Sequence, residues 1–116
     1  ELTYHPSLLS GQRKIIADRQ MAGTYGSVVG FDIVTSDHKS HEKFIENIVS
    51  SGLIFYGESL SSPETIIAHP ASMSHRGMSQ QHRNELGIND NFFRLSVGLE
   101  DADDIIGALK TALDKL

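Results

Sequence analysis

The last quarter of the sequence constrains the fold most, because an alternating strand is followed closely by a capped amphipathic helix. From Phe93 to residue 97 every second residue is apolar, which is the pattern of a strand with one buried face. Asp101 then caps a helix that runs to about residue 116 and carries its apolar residues on one stripe. Because each element has a single apolar face, the two are expected to bury those faces in an α+β layer.

The rest of the chain divides into short segments without an internal repeat. Residues 3–7 are predicted to be extended or turn-like, because the residue before a proline avoids the helical region. The elements that follow are predicted as a helix at 11–21, a strand at 28–34, a helix at 37–51, strands at 53–56 and 65–68, and a short helix at 80–86. Ser36 and Asp37 give the cap signal of the second helix, and Gly52 marks its end. This order predicts an α+β fold with a small, mostly antiparallel sheet and helices on one face.

Length and composition exclude several classes of protein. A chain of 116 residues is one domain, and its net charge of −5 argues against a nucleic-acid-binding surface. The absence of cysteine excludes disulfides, a cysteine-ligated zinc site and a thiol nucleophile. No apolar run is long enough to cross a bilayer and no secretory signal opens the sequence, so we expect a cytoplasmic protein with no membrane partner.

Arg94 is the most informative single residue. It shares a strand face with Phe92 and Ser96, opposite the main apolar face, so its guanidinium is held rigidly. Such a planar group can bind a carboxylate through two hydrogen bonds. The alternative is an internal salt bridge or a solvated strand position, and the pattern alone favours this alternative.

The other candidate groups indicate no chemistry of their own. The six histidines have neither a His-Glu-x-x-His arrangement nor a clear third ligand, so we interpret them as exposed or capping and predict no metal site. No Gly-x-Ser-x-Gly elbow surrounds Ser59, which is interpreted as part of a polar turn. The lysines fall on predicted helix surfaces or termini, where nothing would activate one as a nucleophile.

Three groups of residues, in order along almost the whole chain, resemble the motifs of one enzyme family. The groups are Arg19-Gln20-Met21 with Gly23, then Glu58-Ser59-Leu60 with Glu64 and His69-Pro70-Ala71-Ser72-Met73-Ser74-His75, then Gly87-Ile88-Asn89-Asp90 with Phe93-Arg94-Leu95-Ser96-Val97-Gly98-Leu99-Glu100-Asp101. They are similar to motifs of the pyridoxal-phosphate-dependent enzymes of cysteine and methionine metabolism. Two departures are visible. Ser61-Ser62 stands where the family usually has two glycines, and the glycine segment after Met21 is one residue longer than usual.

This resemblance implies that residues 1–116 are the C-terminal small domain of a fold-type-I enzyme, joined through residues 1–22 to a large domain. It implies that Arg94, in the Arg-x-Ser-x-Gly strand, grips the substrate α-carboxylate, and that Ser59, in the Glu-Ser-Leu turn, lines the same pocket. The family's Schiff-base lysine follows a Ser-x-Thr, and no lysine here does, so the large domain is expected to bind pyridoxal phosphate. Residues 1–116 alone are expected to be inactive and to hold no catalytic residue. The full-length protein is expected to be a homotetramer acting on a small amino acid.

The resemblance favours a C–S lyase acting on sulfur amino acids, of the methionine γ-lyase or cystathionine lyase type. A cystathionine γ-synthase or an acylhomoserine sulfhydrylase is the alternative within the family. From a different class, a non-catalytic α+β module that binds an amino acid or mediates assembly also fits the acidic balance and the capped helices.

Overall fold

Five strands form one sheet in the order β1-β2-β5-β4-β3 in a computed structural model that describes residues 3–35 and 39–116. The strands are β1 Thr3–Tyr4, β2 Val28–Asp32, β3 Phe55–Tyr56, β4 Ile66–Ala68 and β5 Phe92–Ser96. The α-helices are α1 Gly11–Met21, α2 Ser40–Val49, α3 Gln80–Glu85 and α4 Ala102–Asp114, with a 3-10 turn at Pro6–Leu8. Within the described ranges, no helix combines the length and the apolar character needed to cross a membrane.

The sheet is mostly antiparallel, as predicted. Central strand β5 pairs antiparallel with β2 on one side and with β4 on the other. Strand β1 adds to β2 in the same sense, and only the pair β3–β4 is parallel. The most alternating segment of the sequence therefore occupies the middle of the sheet, where both of its edges are hydrogen-bonded.

Helices α2 and α4 pack on one face of this sheet and form the core with it. Phe93, which is fully buried, lies with its ring 5.0 Å from the ring of Phe44 on α2 and 5.9 Å from that of Phe31 on β2. Other core side chains are Ile33, Ile48, Ile54, Ile67, Leu95, Ile105 and Ala112. Helix α1 does not belong to this layer, since its only buried residue is Ala17.

Element ends differ from the sequence predictions by a few residues. Helix α2 begins at Ser40 rather than at residue 37, and the predicted cap at Ser36 and Asp37 lies outside the described residues. Strand β2 ends at Asp32, which pairs with Phe92, the first residue of β5; the next amide, that of Ile33, donates to the carbonyl of Asn91 at 3.0 Å. The caps of the later helices are confirmed: Ser79 accepts from the amide of His82, and Asp101 accepts from that of Asp103.

The interpretation of the histidines as exposed or capping is wrong for His69, which is only 2% exposed. Its ring lies 5.0 Å from the ring of Phe93 and stacks on that of His41 at 4.8 Å. Its Nε2 donates to the carbonyl of Asp90 at 2.9 Å, and its Nδ1 accepts from the hydroxyl of Ser72 at 2.8 Å. These two polar partners, of which only Asp90 is distant in sequence, allow the side chain to be buried.

The burial of His69 predicts a pH-dependent stability. Burial lowers the pKa of His69 below its ordinary 6.5, so the folded chain keeps the ring neutral where the unfolded chain takes up a proton. The free energy of unfolding should therefore fall as the pH drops from about 6.5 toward the lowered pKa. We expect urea unfolding between about pH 7.5 and 5.5 to show this slope in the wild type and a flatter one in His69→Gln. His82→Gln, at an exposed position, is the control; an equal slope in wild type and His69→Gln would contradict the assignment.

Candidate functional site

Arg94 lies in the middle of the sheet, on the face opposite the core. Its Cα is paired with Gly30 on β2 and with Ala68 on β4, both small residues. Its neighbours along β5, Phe93 and Leu95, point into the core and are buried. The predicted alternation is thus confirmed, and the guanidinium starts from a backbone that is hydrogen-bonded on both sides.

Most of the hydrogen-bonding capacity of Arg94 is unused. Its Nη2 donates to the carbonyl oxygen of Glu58 at 3.0 Å, and its Nε is buried without a partner. No carboxylate of residues 3–35 or 39–116 lies within ion-pair distance of it, so an internal salt bridge is not formed there. A guanidinium carries five N–H donors, and leaving buried ones unpaired is costly. A ligand carboxylate is the group best matched to such a fork.

Ser59 lies next to a residue that contacts Arg94. It lies exposed in the segment between β3 and β4, directly after Glu58, whose carbonyl holds the guanidinium. Ser59 and Arg94 are 35 positions apart in sequence, and the hydrogen bond from Arg94 to Glu58 brings the residue before Ser59 into contact with the guanidinium. That Ser59 and Arg94 share a pocket stays a prediction; the structure shows that the residue next to Ser59 contacts Arg94.

The segment with Ser59 is also attached at its other end, by residues that carried no assigned role in the sequence patterns. Both oxygens of the Glu100 carboxylate accept from Thr65, Oε1 from its amide at 2.7 Å and Oε2 from its hydroxyl at 2.6 Å. The Thr65 Oγ1 accepts in turn from the amide of Gly98 at 2.9 Å. The donors on Thr65 lower the pKa of Glu100, which keeps this carboxylate ionised at neutral pH. Gly98 and Glu100 stand in the motif that carries the family resemblance, which gave them no role, and Thr65 carried no signal in the sequence.

Ser61 adopts a backbone conformation that suits glycine. Its φ is +61°, in the left-handed region, where a residue with a Cβ is disfavoured by about 1–2 kcal/mol. This is one of the two positions where the sequence resemblance leads one to expect glycine. The structure therefore keeps the glycine-type turn despite the serine, at some cost in stability.

Replacing Ser61 by glycine should therefore stabilise the fold. We expect Ser61→Gly to raise the free energy of unfolding by up to about 1 kcal/mol, the relieved strain less the added freedom of the unfolded chain. Ser62→Gly is the matched control: its φ is not in the left-handed region and its hydroxyl bonds to Glu64, so it should destabilise by about 0.5–1 kcal/mol. Urea unfolding of both variants is the measurement, and a loss of stability in Ser61→Gly would contradict the strain argument.

The lysines of the described residues do not suit a covalent link to a cofactor. A Schiff base needs a neutral, desolvated lysine. Hydrogen bonds to Asp18 and Tyr25 raise the pKa of Lys14, which keeps it protonated. The remaining lysines are all exposed: Lys39, Lys43, Lys110 and Lys115. Within the described ranges, no group of three histidine or carboxylate side chains could hold a metal ion either.

Comparison with known proteins finds the same family along the whole sequence. The family model of the Cys/Met metabolism PLP-dependent enzymes matches residues 1–114. A cystathionine gamma-lyase of Dictyostelium discoideum is 39% identical over 115 residues, 99% of this chain and 28% of that protein. An L-methionine gamma-lyase of Fusobacterium nucleatum subsp. polymorphum is 34% identical over 116 residues, 100% of this chain and 28% of that protein.

The fold agrees with that result. The crystal structure of cystathionine gamma synthase from Xanthomonas oryzae pv. oryzae in complex with cystathionine superposes with a TM-score of 0.83 at 31% identity, over 99% of this chain and 28% of that one. The chain thus spans 28% of the length of each of these relatives. The family model over residues 1–114 and the identity to these relatives along nearly the whole chain show that the chain belongs to the family of PLP-dependent enzymes of Cys/Met metabolism.

Proposed function

We propose that residues 1–116 are the C-terminal small domain of a PLP-dependent C–S lyase acting on sulfur amino acids, and that Arg94 binds the substrate α-carboxylate. The observation that carries the proposal is the guanidinium of Arg94, which forms one hydrogen bond to Glu58 and no ion pair in the described residues. The relatives are more than three times as long as this chain, which supports a further, larger domain as the part that binds the cofactor.

The contribution of this domain to the reaction is orientation. Pyridoxal phosphate, when bound, supplies the electron sink that stabilises the carbanion at Cα. Arg94, held at the centre of the sheet, fixes the carboxylate and thereby the direction of the Cα–H bond. Ser59 lines the same pocket and offers its hydroxyl to the ligand. No residue of this chain is assigned a covalent or proton-transfer step.

A second candidate function is replacement at Cγ, as in a cystathionine γ-synthase or an acylhomoserine sulfhydrylase. The structural similarity to cystathionine gamma synthase supports it as directly as the lyase relatives support elimination. Both reactions use an α-amino acid, so the same role of Arg94 serves either one. We place the lyase first because the Dictyostelium and Fusobacterium relatives, which match nearly the whole chain, are both lyases.

The complete protein that contains residues 1–116 tests this proposal. We expect it to bind pyridoxal phosphate, visible as an absorption band, and to release an α-keto acid from L-cystathionine or L-methionine. Formation of cystathionine from an acylated homoserine and cysteine, without keto-acid release, would favour the second candidate. A complete protein with neither cofactor band nor turnover would instead support a non-catalytic module that binds an amino acid or mediates assembly.

The isolated chain of residues 1–116 provides the complementary experiment. Because they hold no lysine suited to the cofactor in the described ranges, the isolated 116-residue chain should show no cofactor band and no turnover. A bound cofactor in that chain would contradict the proposed division between domains. We further propose that the complete protein is a homotetramer located in the cytoplasm, which light scattering and cell fractionation would test.

A further inference from the structure

The turn that carries Ser59, residues 57–65, is connected to β5 and the residues after it at both of its ends. At the first end, Arg94 donates to the carbonyl of Glu58 at 3.0 Å. Near the middle, the amide of Ser61 donates to the hydroxyl of Ser96 at 3.4 Å, a long hydrogen bond. We call residues 57–65 the Ser59 turn.

The far end of the Ser59 turn has the shortest of these contacts. Glu100 accepts two hydrogen bonds from Thr65, at 2.7 and 2.6 Å, and Thr65 accepts one from Gly98 at 2.9 Å. We call this arrangement the Thr65–Glu100 clasp. Thr65 is fully buried, so its amide and its hydroxyl proton would both lose their acceptor if Glu100 were removed.

The side chain of Leu99 adds no apolar packing to the clasp. Leu99, between the two residues that contact Thr65, is 86% exposed, so its side chain anchors nothing. Besides the clasp, the amide of Leu99 donates to the carbonyl of Pro63 at 2.8 Å. The Ser59 turn also contains Ser61 in a disfavoured left-handed conformation, which needs such attachments to persist. The far end of the turn is thus held by the polar contacts of Thr65 and Pro63 to residues 98–100, together with the amide of Phe55, which donates to the Thr65 carbonyl at 3.0 Å.

We propose that Glu100 is a positioning residue for the binding of the substrate carboxylate. Through Thr65, Glu100 holds the far end of the Ser59 turn. The position of the turn then determines where Ser59 and the Glu58 carbonyl lie relative to Arg94. Glu100 itself does not touch the substrate. This role rests on the proposed function, since it concerns the same carboxylate pocket.

The preference of the enzyme for a substrate carboxylate over a carboxamide distinguishes a positioning role of Glu100 from a role in stability alone. In the complete protein, kcat/KM is measured for the amino-acid substrate and for its α-carboxamide, L-methionine and L-methioninamide where methionine is the substrate. A misplaced turn weakens the contact with the carboxylate, so Glu100→Ala should lower the acid-to-amide ratio by about tenfold to a hundredfold, mainly through KM of the acid. Glu100→Gln keeps an oxygen that can accept from the Thr65 amide and should recover most of that ratio.

The controls distinguish the possible failures. Glu46→Gln removes an exposed carboxylate on α2 and should leave the ratio unchanged. In Glu100→Ala, hydrogen exchange at the amides of residues 59–62 and 64 should become faster while that of α2 and α4 stays as in the wild type. If Glu100→Ala does not fold, Glu100→Asp, whose shorter side chain cannot reach both donors, should show an intermediate loss of the ratio.

Two results would overturn the proposal. Equal losses for acid and amide in the Glu100 variants would mean that the clasp only stabilises the fold. An acid-to-amide ratio near one in the wild type, unchanged in Arg94→Ala, would refute the carboxylate role of Arg94 and the positioning role with it. A wild-type ratio that Arg94→Ala abolishes and Glu100→Ala leaves intact refutes the positioning role alone.

Discussion

Arg94→Ala in the complete protein should raise KM for the amino-acid substrate by about a hundredfold or more while the protein stays folded. Each hydrogen bond between charged partners contributes about 1.5–3 kcal/mol, and a carboxylate held by two of them loses both. The guanidinium lies on the sheet face away from the core, so its removal opens no cavity around Phe93. Steady-state kinetics with the natural substrate, beside thermal unfolding, measure the two effects separately.

Arg94→Lys sharpens the same experiment. Lysine keeps the positive charge but cannot offer a planar fork, so it should recover only a small part of the affinity. Arg76→Ala removes an exposed arginine and should leave KM unchanged. A KM in Arg94→Ala equal to that of the wild type would remove Arg94 from the binding site.

Gly98→Ala should strongly destabilise the chain, lowering the free energy of unfolding by about 3 kcal/mol or more. A Cβ at this position would lie 2.3 Å from the carbonyl oxygen of Pro63 and 2.5 Å from the carbonyl carbon of Glu64. Both are backbone atoms, so the strain cannot be relieved by rotating a side chain. The backbone must move to make room for the Cβ, and this movement would also break the hydrogen bond from Gly98 to Thr65.

Gly107→Ala is the matched control for this substitution. Gly107 lies inside α4, and a Cβ there would meet nothing within 4 Å. Because alanine is the better helix former, this variant should be more stable by about 0.5–1 kcal/mol. Urea unfolding of both variants gives the comparison. Opposite signs are expected, and a Gly98→Ala variant as stable as the wild type would show that residues 63–64 can move away.

The existence and order of the main elements could be predicted because their signals are local. Asp101 caps α4 through the amide of Asp103, two residues away, and Ser79 caps α3 through that of His82. Alternation in β5 correctly placed Phe93 in the core and Arg94 on the other face. Element ends were less certain, since the last residue of a strand depends on where its partner begins.

His69 shows why some residues escape such reasoning. Its neighbours in sequence, Ala68 and Pro70, indicate only the end of a strand. Its burial depends on the carbonyl of Asp90 and the ring of Phe93, which lie more than 20 residues away. A polar side chain can be buried only where the fold supplies such partners, and local pattern carries no information about them.

The sequence by itself determined the fold class, the family resemblance and the choice of Arg94 as the candidate carboxylate-binding residue, because alternation, caps and ordered motifs are short-range features. Only the tertiary structure decided what surrounds that group. It placed the Glu58 carbonyl on the guanidinium, the left-handed φ at Ser61, and Glu100 on Thr65 across 35 positions. Hydrogen bonds of this kind join residues that are distant in sequence, so they exist only once the strands have paired.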